Sequence, residues 1–256
     1  MIKKRLEVSH ADMIAHPEKA VDPQAVLSDL EQHKQGLPLS RIYSEREFWG
    51  MSFKLSDSTL DPRSDTETLI DAVIKRYPDK EQSLRILDLG TGSGCILLAL
   101  LSEFPNAQGV GVDLSNEAVV TAKCNAQENR LMDRSCFVRG NWAESIEERF
   151  DLIVSNPPYI QNQIIQNLDE SVKKHDPILA LDGGEDGLQE YKKIFSDLFR
   201  LLNKGGRAFF EIGFDQEESV TRLSKESRFL VQSTYADLAG HIRVLELVPE
   251  NSSGDK

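Results

Sequence analysis

Leu84-Arg85-Ile86-Leu87-Asp88-Leu89 reads as a short buried strand that runs directly into Gly90-Thr91-Gly92-Ser93-Gly94, after which Cys95 to Phe104 reads as a helix. Glycines at alternate positions let the backbone turn sharply and let a ligand come close to the main chain. The N–H groups that open the following helix then face an anionic or polar ligand. Such a unit commits the chain to a layered α/β architecture. The dinucleotide-binding pattern needs its third glycine where Cys95 stands, so that fingerprint is missed by one residue. A further strand, Gln108-Gly109-Val110-Gly111-Val112, ends at Asp113, whose carboxylate can accept from two ribose hydroxyls. A glycine-rich turn alone says little, but one followed about 20 residues later by an acidic strand end marks a nucleoside-binding α/β site.

The rest of the chain alternates strand and helix. Apolar strands are expected at 84–89, 108–113, 135–139, 150–155, 207–212, 229–235 and 241–248. Helices are expected at 94–104, 116–129 and 188–203, the first stopped by Pro105 and the last by Gly205-Gly206. Seven strands in this order predict a mainly parallel, doubly wound sheet with ligands at the carboxyl ends of its strands. Upstream, 47–56 suggests a short hairpin strand and Thr66 to Tyr77 a helix that leads into the sheet. Residues 1–36 are polar with one helix, capped by Asp22, begun at Pro23 and closed by Gly36, with Val26, Leu27 and Leu30 as its apolar side. The expected organisation is a short helical N-terminal segment (1–37), a hairpin and linker helix (38–80), the main domain (81–250) and a disordered tail (251–256).

A net charge of −12 disfavours tight binding to a nucleic-acid backbone, which depends on Lys and Arg. Met1-Ile2-Lys3-Lys4-Arg5 is followed by no apolar stretch of signal-peptide length, and no run reaches membrane-spanning length. Cys95, Cys124 and Cys136 are far apart with no metal spacing, which points to a reduced cytoplasmic interior and structural thiols. His10, His16, His33, His175 and His241 likewise show no ligand spacing.

Asn156-Pro157-Pro158-Tyr159 closes the apolar run Phe150 to Ser155. Two consecutive prolines remove two backbone donors and hold the chain extended, which leaves carbonyls at this corner without ladder partners. With a short amide and an aromatic ring beside them, the corner suits a flat NH2-bearing group. The same four residues could also be a plain strand-ending turn, and only the glycine-rich motif upstream favours the functional reading.

Together, Asp88-Leu-Gly-Thr-Gly-Ser-Gly94, Asp113 and Asn156-Pro-Pro-Tyr159 resemble the S-adenosylmethionine-dependent methyltransferases that modify planar amide or exocyclic amino nitrogens. Pro38-Leu39, Glu47-Phe-Trp-Gly50, Pro62-Arg-Ser-Asp-Thr-Glu67, Ala180-Leu-Asp-Gly-Gly-Glu-Asp-Gly187 and Phe210-Glu-Ile-Gly213 narrow the resemblance to the bacterial peptide chain release factor glutamine methyltransferases, from Pro38 to Val248. It implies the Rossmann-like, seven-stranded, mainly parallel sheet of class I methyltransferases. It also implies methyl transfer from S-adenosylmethionine, leaving S-adenosylhomocysteine, to the glutamine amide nitrogen of a Gly-Gly-Gln motif in release factors. Under that resemblance Gly90, Thr91, Gly92, Ser93, Gly94, Asp113, Trp142 and Asn156 bind the cofactor, while Asn156, Pro157, Pro158 and Tyr159 take the substrate amide.

Asn156, Pro157 and Tyr159 are the expected catalytic residues. An amide nitrogen is a poor nucleophile, so acceptors fixed on its N–H bonds, the Asn156 side-chain oxygen and the Pro157 carbonyl, would orient and polarise it. Tyr159 would stack on the amide or wall its pocket. Asp88 either serves the ligand or braces the turn, Asp113 either binds ribose or caps a helix, and Trp142 either meets the adenine or packs in the core. Glu67 and Glu211 either face the pocket or hold the surrounding loops, and stand outside the expected ligand set. Asn141 occupies a position where relatives carry an aspartate for the adenine amino group, Ser64 replaces a proline and Ser44 a glycine. Relatives also have a longer N-terminal helical domain for docking the release factor, whereas about 37 residues precede the shared region here, which implies a smaller docking surface. Two other readings remain: the same chemistry on a ribosomal-protein glutamine or an adenine amino group, and a non-catalytic nucleoside-binding module. The acidic balance counts against nucleic acid, and the intact Asn156 to Tyr159 counts against a silent module.

Overall fold

A computed structural model describes residues 10–16 and 22–250. The opening Met1 to Arg5 stretch and the expected disordered tail at 251–256 lie outside the described residues. The strands are β1 (Glu45–Phe48), β2 (Met51–Lys54), β3 (Arg85–Leu89), β4 (Gln108–Asp113), β5 (Ser135–Arg139), β6 (Phe150–Ser155), β7 (Leu202–Glu211), β8 (Phe229–Ala236) and β9 (Ile242–Pro249). The longer helices are α1 (Pro23–Lys34), α2 (Glu67–Arg76), α3 (Cys95–Glu103), α4 (Asn116–Glu128), α5 (Gln189–Leu201) and α6 (Glu217–Glu226).

Seven strands form one sheet in the order β5-β4-β3-β6-β7-β9-β8. The first five in that order pair in parallel, and β9 runs antiparallel between β7 and β8. The strand order reverses at β3, which lies between β4 and β6, so a crevice opens at the carboxyl ends of these strands. The glycine-rich turn follows β3, Asp113 ends β4 and Asn156 follows β6.

Two cores cover the two faces of the sheet, and successive strand residues divide between them as a two-residue period requires. Ile86, Leu152, Val154, Phe209 and Val244 join one; Leu87, Ile153, Phe210 and Leu245 join the other. Helix α3 is apolar all round because Cys95 to Leu101 are all buried. Helix α5 instead buries one stripe, Tyr191, Ile194, Phe195, Leu198 and Leu201.

Several boundaries differ from the sequence expectation. Helix α5 stops at Leu201, and β7 starts at Leu202 rather than at 207, passing through Gly205-Gly206 with a register irregularity against β6. Helix α6 was not expected. Its sequence is too polar, and only Val220, Leu223 and Ser224 are buried. The 47–56 region forms both strands of a hairpin rather than one strand. Trp49 and Gly50 join them at φ 51° and 68°, the signature of a type I′ turn. Ser44 adopts φ 49°, a region that glycine enters without steric cost.

In the N-terminal segment, Asp22 Oδ1 accepts from Gln24 N at 3.0 Å, as a cap should. Of the expected apolar side of α1, Val26 and Leu30 are half-buried next to the buried Asp29, while Leu27 is exposed. The Tyr43 hydroxyl donates to Asp29 Oδ2 at 2.6 Å, which joins α1 to the next segment. A second helix, His10–Ala15, also lies in this region. Of the three thiols expected to be structural, Cys95 is buried in the core, but Cys124 and Cys136 are exposed. Among the described residues no helix is long and apolar enough to cross a membrane.

Candidate active site

The glycine-rich turn is held by β4 as well as by its own strand. The N–H groups of Gly90 and Thr91 both donate to Val112 O at 2.9 Å, and Gly92 N donates to Asp113 Oδ2 at 2.8 Å. Gly90, Gly92 and Gly94 all have positive φ, and Gly94 precedes the first residue of α3. Buried Asn125 of α4 fixes this turn to the hairpin: its Nδ2 donates to Ser93 O at 2.8 Å and its Oδ1 accepts from Lys54 N at 2.7 Å. Asp88 does brace the turn, because Thr91 Oγ1 donates to its Oδ2 at 2.7 Å. Its Oδ1 is buried without a partner, as is Ser93 Oγ, and burial raises the Asp88 carboxyl to about 7.

Asp113 caps no helix. Ser115 is the N-cap of α4, its hydroxyl accepting from Ala118 N at 3.3 Å. The Asp113 carboxylate accepts from Ser115 N and Gly92 N, and burial raises its pKa above the ordinary value against the opposing pull of the backbone N–H groups of Ser115, Gly92 and Leu114. Trp142 lines the cleft at φ 49°, and its indole N–H donates to Glu190 Oε2 of α5 at 2.7 Å. Asn141 also lines the cleft and turns its Nδ2 to the Glu144 carboxylate.

Opposite this wall, Asn156 is half-buried and its Nδ2 donates to Thr66 Oγ1 at 3.3 Å. Ser155 anchors the corner from below, its hydroxyl donating to Leu89 O at 2.7 Å. The cleft between these walls has a volume of about 440 Å³. Gly90, Thr91, Gly92, Ser93, Asp113, Trp142, Asn156 and Pro158 line it; Gly94, Pro157 and Tyr159 do not. Pro157 is buried, and the Tyr159 ring packs on the core below α5, where burial pushes its hydroxyl far up from its ordinary value.

The remaining sequence motifs build the frame around this corner. Ile160 bridges to Asp182, and a Cβ on Gly183 would stand 2.8 Å from the Tyr159 backbone, so the Ala180 to Gly187 motif needs glycine to close over Tyr159. Gln216 Nε2 donates to Tyr159 O at 3.1 Å from the other side. Asp176 accepts from Arg41 at 2.8 Å and from Arg63 at 2.7 Å, which ties the segment before β1 and the Pro62-Arg63 motif to the cleft rim. Glu67 proves to be a loop support, since its Oε1 accepts from Trp49 N at 2.9 Å.

The family model for the methyltransferase small domain matches residues 56–183. The release factor glutamine methyltransferase of Agrobacterium fabrum is 43% identical over 243 residues, covering 93% of this chain and 84% of that one. That of Bradyrhizobium diazoefficiens is 44% identical over 224 residues, covering 85% and 75%. The chain belongs to the release factor glutamine methyltransferases. Among solved structures, a methyltransferase from Pyrococcus furiosus shares the fold, with a TM-score of 0.59 at 18% identity over 86% of this chain and 98% of that chain.

For a methyltransferase of this family the structure adds supporting residues that the motifs did not place in the site. Thr66 is the hydrogen-bond partner of Asn156, and Glu190 holds Trp142. Glu211 is buried at the end of β7 beside Asn156 and Thr66. Its signal was present, an acid closing the apolar strand Ala208-Phe209-Phe210, but the sequence does not say which way the side chain turns.

Proposed function

We propose that this enzyme transfers a methyl group from S-adenosylmethionine to the side-chain amide nitrogen of the glutamine in the Gly-Gly-Gln motif of peptide chain release factors. The observation that carries it is the meeting of the β3 turn, Asp113 and Asn156 on one cleft at the strand switch point. The residues present fit the cofactor. Gly90 leaves its space to the Trp142 ring, and two buried polar atoms beneath the turn, on Asp88 and Ser93, have no protein partner. The backbone from Gly90 to Ser93 would hold its polar end, Asp113 its ribose, and Trp142 with Asn141 its adenine, while Gly94 shapes the turn from behind.

When bound, the cofactor supplies an electrophilic methyl group on a sulfonium, so the chemistry is an in-line displacement governed by alignment. Asn156 Oδ1 accepts from one N–H of the substrate amide, which turns the nitrogen toward the methyl group and polarises it. Pro158 walls the pocket, and Tyr159 supports that wall from the core. As the N–C bond forms and the S–C bond breaks, the nitrogen gains positive charge, and its proton leaves to solvent afterwards. No base is needed before attack. Water excluded from the cleft strengthens these polar contacts.

The substrate assignment rests on the names of relatives at 43% and 44% identity and on the net charge of −12, which opposes nucleic acid. Release factors act at the ribosome, so the reading puts the enzyme in the cytoplasm. Mass spectrometry of a release factor incubated with enzyme and cofactor tests it. A methyl group on the tripeptide glutamine supports the assignment. An unmodified factor beside a methylated ribosomal protein or nucleic acid overturns it.

A further inference from the structure

Asn156 must meet its substrate with the oxygen of its amide rather than the nitrogen, and the two arrangements differ only by a flip of the group. The groups behind it decide between them. Asn156 Nδ2 donates to Thr66 Oγ1 at 3.3 Å, and Thr66, 3% exposed, precedes α2. Phe210 pairs with Ser155, so the next residues, Glu211 and Asn156, stand side by side at the ends of β7 and β6. Glu211 is 2% exposed, with the Thr66 hydroxyl and the Asn156 amide both directed to its carboxylate. An ionised carboxylate only accepts. The single Thr66 proton therefore goes to Glu211, Thr66 Oγ1 is left to accept from Asn156 Nδ2, and Asn156 Oδ1 is left to face the cleft.

We propose that Glu211 is a positioning residue for methyl transfer, which through Thr66 fixes the Asn156 amide with its nitrogen toward the protein and its oxygen toward the substrate. This rests on the reading of Asn156 as an acceptor for the substrate amide. Fold stability alone gives no reason for an acid here. Glu211 Oε2 is buried without a donor, and Arg243, the cation that acts on this carboxyl, is bonded to Asp237 and Asp65 instead. A buried acid left in that condition is a cost that a functional site tolerates.

Burial raises the Glu211 carboxyl to about 7, against the opposing pull of Thr66, Arg243 and Asn156. The other titratable groups facing it are Asp65 beside α2, Tyr159 after β6, Tyr191 of α5 and Cys95 of α3. Once protonated, Glu211 can donate, and the chain of bonds no longer has an obligatory direction. Turnover should therefore fall as pH drops through about 7.

The test is steady-state methylation of a release factor by Glu211→Gln, Thr66→Val and Thr66→Ser, with cofactor affinity measured by calorimetry. Glu211→Gln and Thr66→Val should each lower kcat by about 10-fold or more, leaving KM for the release factor and Kd for the cofactor within about twofold. Thr66→Ser, which keeps the hydroxyl, should keep most of the rate, and Glu211→Gln should lose the acidic limb of the pH profile. If Glu211→Gln fails to fold, the two Thr66 variants carry the same test. Parental kcat in Glu211→Gln or Thr66→Val, or loss of cofactor affinity in step with kcat, overturns the positioning role. Parental rate in Asn156→Ala would remove the underlying reading instead, which keeps the two failures distinct.

Discussion

Trp142 sits so closely over Gly90 that a Cβ built on Gly90 would stand 3.1 Å from Trp142 Cζ3. Gly90 also has φ +76°, where a side chain is strained whatever the space. Gly90→Ala should therefore cost on the order of 1–3 kcal/mol of stability. It should also displace Trp142 and weaken binding of S-adenosylmethionine. Thermal unfolding and calorimetry would check both, and a variant with parental stability and affinity would show that the turn does not need its glycine.

Asp113 joins β4 to the turn through Gly92 N at 2.8 Å while lining the cleft. Asp113→Ala removes the proposed ribose acceptor and frees the turn, so affinity for the cofactor should fall by about 1–3 kcal/mol. Equal calorimetric affinity in variant and parent would refute the ribose role. Tight binding of NAD to the parent would refute the nucleoside assignment as a whole.

Asn141 lines the cleft near Trp142, and the Glu144 carboxylate takes its Nδ2. That bond leaves Oδ1 as an acceptor, the role proposed for it toward the adenine amino group. Glu144→Ala should free the amide to flip and lower cofactor affinity by about 0.5–1.5 kcal/mol. The same variant should bind an analogue lacking the adenine amino group as well as the parent does. Equal losses for both ligands would sink this account.

Asn156→Ala should leave the fold intact, because the side chain is half-buried and its bond to Thr66 is long, at 3.3 Å. Its proposed acceptor role is expressed mainly in the transition state, so the loss belongs in kcat rather than in binding. A drop of about 100- to 1,000-fold is expected in single-turnover methylation. A folded variant working at near-parental rate would end the catalytic reading of this motif.

The sheet was legible because its inner strands are covered on both faces, as the apolar run of β6 shows; β4 and β6 fall on the expected bounds, and so does the edge strand β5. The polar start of β7 was hidden in Leu202 to Gly206, where glycines read as a helix stop, and α6 was hidden by its acidic sequence. In the site, the residues that a backbone motif specifies, such as Gly90 and Asp113, could be named from spacing. The supports could not. Thr66, Glu190 and Glu211 reach Asn156 and Trp142 from elements far away in sequence, and only the packing of α2, α5 and β7 against the β6 corner brings them there. Tyr159 is half-buried and packs against the core beside the corner, a placement that the four-residue motif does not specify.

The pH dependence of stability gives a last test, with a sign set by burial. Burial raises both Glu211 and Asp88 to about 7, above the ordinary values of 4.5 and 3.8. Between the unfolded and folded values the native protein holds more protons than the unfolded chain, so stability falls as pH rises through this window and stays reduced above it. Removing the charge with Glu211→Gln should relieve that penalty where it is present. The variant's gain over the parent in denaturant unfolding should thus be larger at about pH 8.5 than at about pH 5.5, by on the order of 1–3 kcal/mol. A difference independent of pH would mean that Glu211 is not held against ionisation. A variant more stable at high pH yet slower in turnover would show that the buried acid is kept for the reaction rather than for the fold.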